Sequence, residues 1–125
     1  MEFHKIGENG ERVAEKYLKS KGYKILDKNY FNQKGYRIGE LDLIAEDRDG
    51  TIVFCEVKSR KGKKGEIVPG ENLTFSKFKK LTKTANYFLA KNNLLEKNWR
   101  LDLVEVYFDE EGQTEEIKHI EAIYF

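Results

Sequence analysis

Ile6, Gly10, Val13, Ala14, Tyr17 and Leu18 recur at three- and four-residue intervals and Gly22 follows them, so the pattern predicts a helix over residues 7–21. Residues 23–31 then read as a strand, ended by the polar run Asn32-Gln33-Lys34-Gly35. Residues 38–47 and 51–59 read as two further strands joined at the turn dipeptide Asp49-Gly50. A loop with Gly62, Gly65, Pro69 and Gly70 follows over residues 60–73, longer than compact domains usually carry without a use, and it is expected to act as a flap. Helical spacing returns with Phe75, Phe78, Leu81, Ala85, Phe88 and Leu89, which predicts a second helix from Thr74 or Ser76 to residue 92. Residues 99–108 and 116–125 are the last two strands, around a turn at 109–112. The order α-β-β-β-α-β-β predicts an α/β fold with a mixed central sheet. Its α-β-β-β-α-β core uses the second helix as a right-handed crossover, and a C-terminal strand is added.

The length of the hairpin loop decides which side chains of the second and third strands meet. A three-residue loop, Arg48-Asp49-Gly50, places Gly50 where this turn class needs a left-handed residue. Asp47 then pairs with Thr51, Ile44 opposes Phe54, Asp42 opposes Glu56 and Glu40 opposes Lys58, all on one face. A two-residue loop would set Asp42 against Val57 and send the two carboxylates to opposite faces, so it is rejected. Two carboxylates directly opposite each other destabilise a sheet by up to about 1 kcal/mol unless something compensates. A hard divalent cation does so, which makes Mg²⁺ the expected cofactor and Mn²⁺ its substitute. Beside such an ion, Lys58 is placed to orient or deprotonate an attacking water, or to hold a scissile phosphate. The same residues also fit a plain Lys58–Glu40 salt bridge with Asp42 and Glu56 in solvent. Ile44, Ile52 and Phe54 share the face and argue that it is packed. Glu11 stands at the edge of the first helix's apolar stripe, where a carboxylate aimed at the core needs a partner. That partner is either the metal or a hydrogen bond to the first strand.

The 125 residues suit one domain, taken as 1–125, and 39% hydrophobic content excludes global disorder. No apolar run approaches the roughly 20 residues of a membrane helix and the N-terminus lacks a signal-peptide pattern, so no membrane partner is expected and the cytoplasm is the expected compartment. A single cysteine, Cys55, forms no internal disulfide or thiolate cage, which leaves oxygen ligands for any metal. Alternating with Val53 and Val57, it reads as a core residue. His4 and His119 stand alone in the sequence and are not expected to act as ligands. Asp102, between Leu101 and Leu103 in a central strand, is a candidate support for the site from behind. The net charge is only +1, but nine basic residues face two acids between positions 57 and 83, whereas eight acids face one lysine between 101 and 125. Such polarity marks a polyanion-binding side, with Arg60, Lys61, Lys63, Lys64, Lys77 and Lys80 as the phosphate contacts and nucleic acid as the partner.

Asp42, thirteen intervening residues and Glu56-Val57-Lys58 resemble the D-x(n)-E-x-K signature of the PD-(D/E)-x-K nuclease superfamily, which includes restriction enzymes and archaeal Holliday-junction resolvases. The stretches 10–18 (GERVAEKYL), 39–45 (GELDLIA) and 53–60 (VFCEVKSR) are similar to the YraN-type family of endonuclease-like proteins. Leu41 stands where the superfamily pattern has proline. The resemblance implies a restriction-endonuclease-like core and metal-dependent hydrolysis of nucleic acid phosphodiester bonds, of DNA, with branched DNA as a candidate substrate. It implies Asp42 and Glu56 as metal ligands, Lys58 as the catalytic lysine and Glu11 as the helix-borne glutamate. Its alternative is a nucleic-acid-binding module that retains the fold without turnover. A resolvase makes two cuts, which implies a homodimer, and the apolar stretch 117–125 offers an edge for it.

Overall fold

The computed structural model describes residues 3–31, 40–62 and 74–123, with side chains from residue 9 onward. Helix α1 (Phe3–Ser20) is followed by strands β1 (Lys24–Phe31), β2 (Glu40–Glu46) and β3 (Ile52–Lys61), helix α2 (Phe75–Lys91), and strands β4 (Trp99–Phe108) and β5 (Thr114–Ile120). The strands lie side by side in chain order, antiparallel except for the parallel pair β3–β4 that α2 bridges. This is the predicted mixed sheet. Helix α1 starts at Phe3, four residues before the predicted start at residue 7, as helix ends carry the weakest signal.

One helix covers each face of the sheet. Ala14 and Leu18 of α1 pack with Leu43, Val53, Cys55, Val57, Val104, Val106 and Phe108. Leu81, Ala85, Phe88 and Leu89 of α2 pack with Leu41, Ile44, Ile52, Phe54 and Leu101. Strands β3 and β4 are buried on both faces, which is why they read as near-continuous apolar runs. Cys55 is fully buried and burial pushes its thiol well up, in keeping with a core role. Thr74 caps α2, its hydroxyl accepting the Lys77 N–H at 3.1 Å.

The hairpin between β2 and β3 has the three-residue loop. Asp47 N–H donates to the Thr51 carbonyl at 2.9 Å, Gly50 takes φ 89° in the left-handed region, and Ile44 pairs with Phe54. The last strand departs from expectation. It ends at Ile120 because Ala122 adopts φ 55° and gives its N–H to Asp102 Oδ1 at 2.9 Å, after which Ile123 bonds the Leu101 carbonyl and packs on the α2 face. The edge strand β5 is thus the charged segment 114–120 rather than an apolar run to residue 125, a composition that discourages edge pairing.

Candidate metal centre

Asp42 and Glu56 meet where the β2–β3 ladder opens. Pairing runs from Glu46↔Ile52 to Leu43↔Cys55, and the next step of that register sets Asp42 against Glu56. The bond from Asp47 to Thr51 marks the odd-numbered residues of β3 as those turned toward β2, so a continuing ladder would give the Val57 N–H to the Leu41 carbonyl. Instead Val57 N–H donates to Asp42 Oδ2 at 2.7 Å. The side-chain alternation slips at the same point, for Leu41 joins Ile44 on the α2 face while Leu43 lies on the α1 face. Asn29 of the neighbouring strand β1 adopts φ 52°, a second irregularity beside it. Asp42 therefore reaches into the gap between β2 and β3. Strict alternation put it flat on the α2 face, and the backbone slip is the physical reason it is not there.

Glu56 is 5% exposed and its Oε1 accepts from two ammonium groups, Lys58 Nζ at 3.2 Å and Lys77 Nζ at 2.9 Å. Lys58 thus pairs with Glu56, and Glu56 is not in solvent. From the other face comes Glu11. Its neighbour Gly10 is buried, and a Cβ there would run into the Ser59 side chain, so α1 packs closely on β3 at this point.

The four predicted groups act on one another electrostatically. Burial pushes the Asp42 carboxyl up to about 7, and the charges of Glu56 and Glu11 add to the rise, against the Val57 N–H and the Lys58 ammonium. Burial, and then the nearby Lys77, hold the Lys58 ammonium below the ordinary lysine value, against the pull of Glu56. A part-buried carboxyl whose pKa is raised first by desolvation and then by two other carboxylates belongs to a site short of positive charge. The donors are all carboxylate oxygens, which suits a hard divalent cation.

The predicted phosphate contacts divide. Lys61 and Lys80 are exposed. Arg60 is turned inward, its side chain 12% exposed, with Nη2 3.7 Å from Glu105 Oε2. Lys77 is spent on Glu56. Lys63, Lys64 and the expected flap lie outside the described residues.

A second polar cluster escaped the sequence reading. Arg100 donates from Nε to both Asp102 oxygens at 3.1 and 3.2 Å, from Nη1 to Asp47 at 3.1 Å, and from Nη2 to the Tyr23 hydroxyl at 2.6 Å and to Glu121 at 3.2 Å. His119 Nε2 lies 2.7 Å from Asp102 Oδ2, so this histidine, isolated in sequence, is not isolated in space. Only the alternation of Arg100 with Asp102 along β4 hinted at the pair. Among the described residues, ligand atoms of Asp102, His119 and Glu121 lie within 4.8 Å of one another, a spacing that Glu11, Asp42 and Glu56 do not meet as a set. Arg100 already supplies the cation there, so we read the cluster as a clamp that ties the start of β4 to the hairpin and to the chain after β5. Asp102 is fully engaged in it and does not back the Asp42 site. Asp102→Ala is expected to destabilise the fold by about 2–3 kcal/mol, because it removes the one buried acceptor shared by the Ala122 N–H, His119 and the Arg100 Nε, while Asp47 and Glu121 still hold the guanidinium. Urea unfolding checks this; a loss under 1 kcal/mol would contradict the clamp.

The profile of "Uncharacterised protein family UPF0102" matches residues 10–106. A UPF0102 protein of Desulforamulus reducens is 42% identical over 116 residues, covering 92% of this chain and 91% of that one. One from Clostridioides difficile is 48% identical over 101 residues, covering 81% and 83%. Among solved structures, Pyrococcus furiosus SfsA in complex with Ca²⁺ is similar at 18% identity and a TM-score of 0.39, over 95% of this chain and 63% of that one. The FdxN element excision controlling factor protein of Anabaena variabilis is similar at 15% identity and a TM-score of 0.29, over 92% and 96%. With the profile spanning α1 to β4 and relatives matched over nearly their whole length, the chain belongs to the uncharacterised family UPF0102, a YraN-like group of the PD-(D/E)-x-K nuclease-like proteins.

Proposed function

We propose that this chain is a divalent-metal-dependent nuclease that hydrolyses phosphodiester bonds in DNA, with branched DNA as the first substrate to try. The observation that carries the reading is the part-buried Asp42, turned into the gap between β2 and β3 where the Val57 N–H donates to it at 2.7 Å, beside Glu56 and with Lys58 two residues beyond paired to Glu56 at 3.2 Å. Asp42, Glu56 and Glu11 would hold Mg²⁺ or Mn²⁺. When bound, that ion supplies charge for the phosphate and lowers the pKa of a water. The Lys58 ammonium holds a non-bridging phosphate oxygen or, once deprotonated, takes the proton of the attacking water. Water oxygen joins phosphorus as the bond to one ester oxygen breaks, leaving a phosphomonoester and an alcohol. Lys61 and Lys80, on the surface, bear on the flanking phosphates.

The test is incubation of the protein with labelled linear, branched and single-stranded DNA in Mg²⁺, Mn²⁺ or EDTA. Cleavage that needs the metal and is abolished in Glu56→Gln is the expected result, with a milder loss in Glu11→Gln. Salt-sensitive binding without cleavage of any substrate would overturn the nuclease reading in favour of a non-catalytic binding module.

A further inference from the structure

We propose that Lys77 competes with the divalent cation for Glu56 Oε1, so that metal binding and release of this lysine are one event. This inference rests on the metal-dependent reading above. Lys77 Nζ lies 2.9 Å from that oxygen, closer than Lys58 at 3.2 Å. Its place in α2 is locally unfavourable. Counted from the Thr74 cap, Lys77 is the third helical residue, a position where Glu or Gln commonly reaches back to the cap. The first turn of α2 holds no acidic residue, so the ammonium sits against the positive end of the helix dipole with no neighbour on its own helix to offset it. Glu56, across the packing of α2 on the sheet, provides the offset.

Charge balance leads to the same assignment. Glu11, Asp42 and Glu56 bring three carboxylates to the site, and Lys58 and Lys77 bring two ammonium groups. Adding a divalent cation to all five leaves a net positive charge in a largely buried place, whereas adding it as one lysine leaves restores neutrality. Lys77 is the one free to leave. Its side chain is 35% exposed against 23% for Lys58, which stays beside Glu56 on the same strand face whatever else moves. Once released, Lys77 stands at the site's edge, where a phosphate oxygen is its natural partner.

The experiment is calorimetric titration of Mn²⁺ into the parent, Lys77→Met and Lys77→Arg, with melting in EDTA and in Mn²⁺. Removing the competitor should tighten Mn²⁺ binding about tenfold in Lys77→Met, the ratio that one charge-assisted hydrogen bond is worth. Lys77→Arg, which keeps the charge, should stay within about twofold of the parent. Mn²⁺ should raise the melting temperature of Lys77→Met more than that of the parent, since the variant's Glu56 has lost a partner. If Lys77→Met loses its far-ultraviolet dichroism, Lys77→Gln carries the same expectation. Equal or weaker Mn²⁺ binding in a folded variant, beside a parent that binds, overturns the inference alone. Absence of Mn²⁺ binding in parent and variants alike overturns it together with the metal-dependent reading.

Discussion

Asp42→Asn is expected to stabilise the fold above neutral pH while it abolishes metal binding and cleavage. The Asp42 carboxyl is raised from 3.8 to about 7, so between those values the folded chain holds a proton that the unfolded chain has released. Stability therefore falls as pH rises through that window, and the full cost is present above about 7. It amounts to a few kcal/mol at most, shared with Glu56, whose charge is part of the cause. Asparagine keeps an oxygen for the Val57 N–H and carries no charge, so the variant escapes the penalty. Urea unfolding at pH 5 and pH 8 reads the effect directly: the variant should gain on the parent as pH rises. A parallel pH dependence in the two proteins would show that Asp42 is not the strained group. Metal binding has the opposite sign, because the ion requires the ionised carboxylate. Mn²⁺ affinity in the parent should rise about tenfold per pH unit below about 7 and level off above it.

Lys58→Met should lower turnover by roughly two to four orders of magnitude while metal binding is retained, the scale usual for one positioned acid–base or electrostatic group. Methionine keeps much of the apolar stem and deletes the ammonium. Glu56 retains Lys77 at 2.9 Å, so its carboxylate is not stranded and the fold should survive. Cleavage under single-turnover conditions, with Mn²⁺ titrated into the same preparation, separates the two properties. Parental cleavage rates in this variant would remove Lys58 from the chemistry. Loss of metal binding instead would make it a structural partner of Glu56.

The amino-acid sequence by itself determined the element order, the mixed sheet and the register of the hairpin, because these depend on local information. Apolar period distinguishes helix from strand, and Gly50 dictates a loop length that pairs Ile44 with Phe54. The same count set Asp42 against Glu56, whereas the observed pairing stops one step earlier, at Leu43 and Cys55. Tertiary structure decided what that count did not contain. The slip of alternation at Asp42 arises from how β1, β2 and β3 share backbone hydrogen bonds, and no two-residue pattern encodes it. Lys77 and Glu56 are twenty-one positions apart in sequence, and Arg100 and Asp47 fifty-three; only the packing of α2 on the sheet and the adjacency of β3 and β4 bring them together. Charge counted along the chain assigned Arg60 and Lys77 to phosphate. In the folded chain Arg60 is turned inward toward Glu105 and the half-exposed Lys77 lies against Glu56, so a nearby carboxylate sets their partners first.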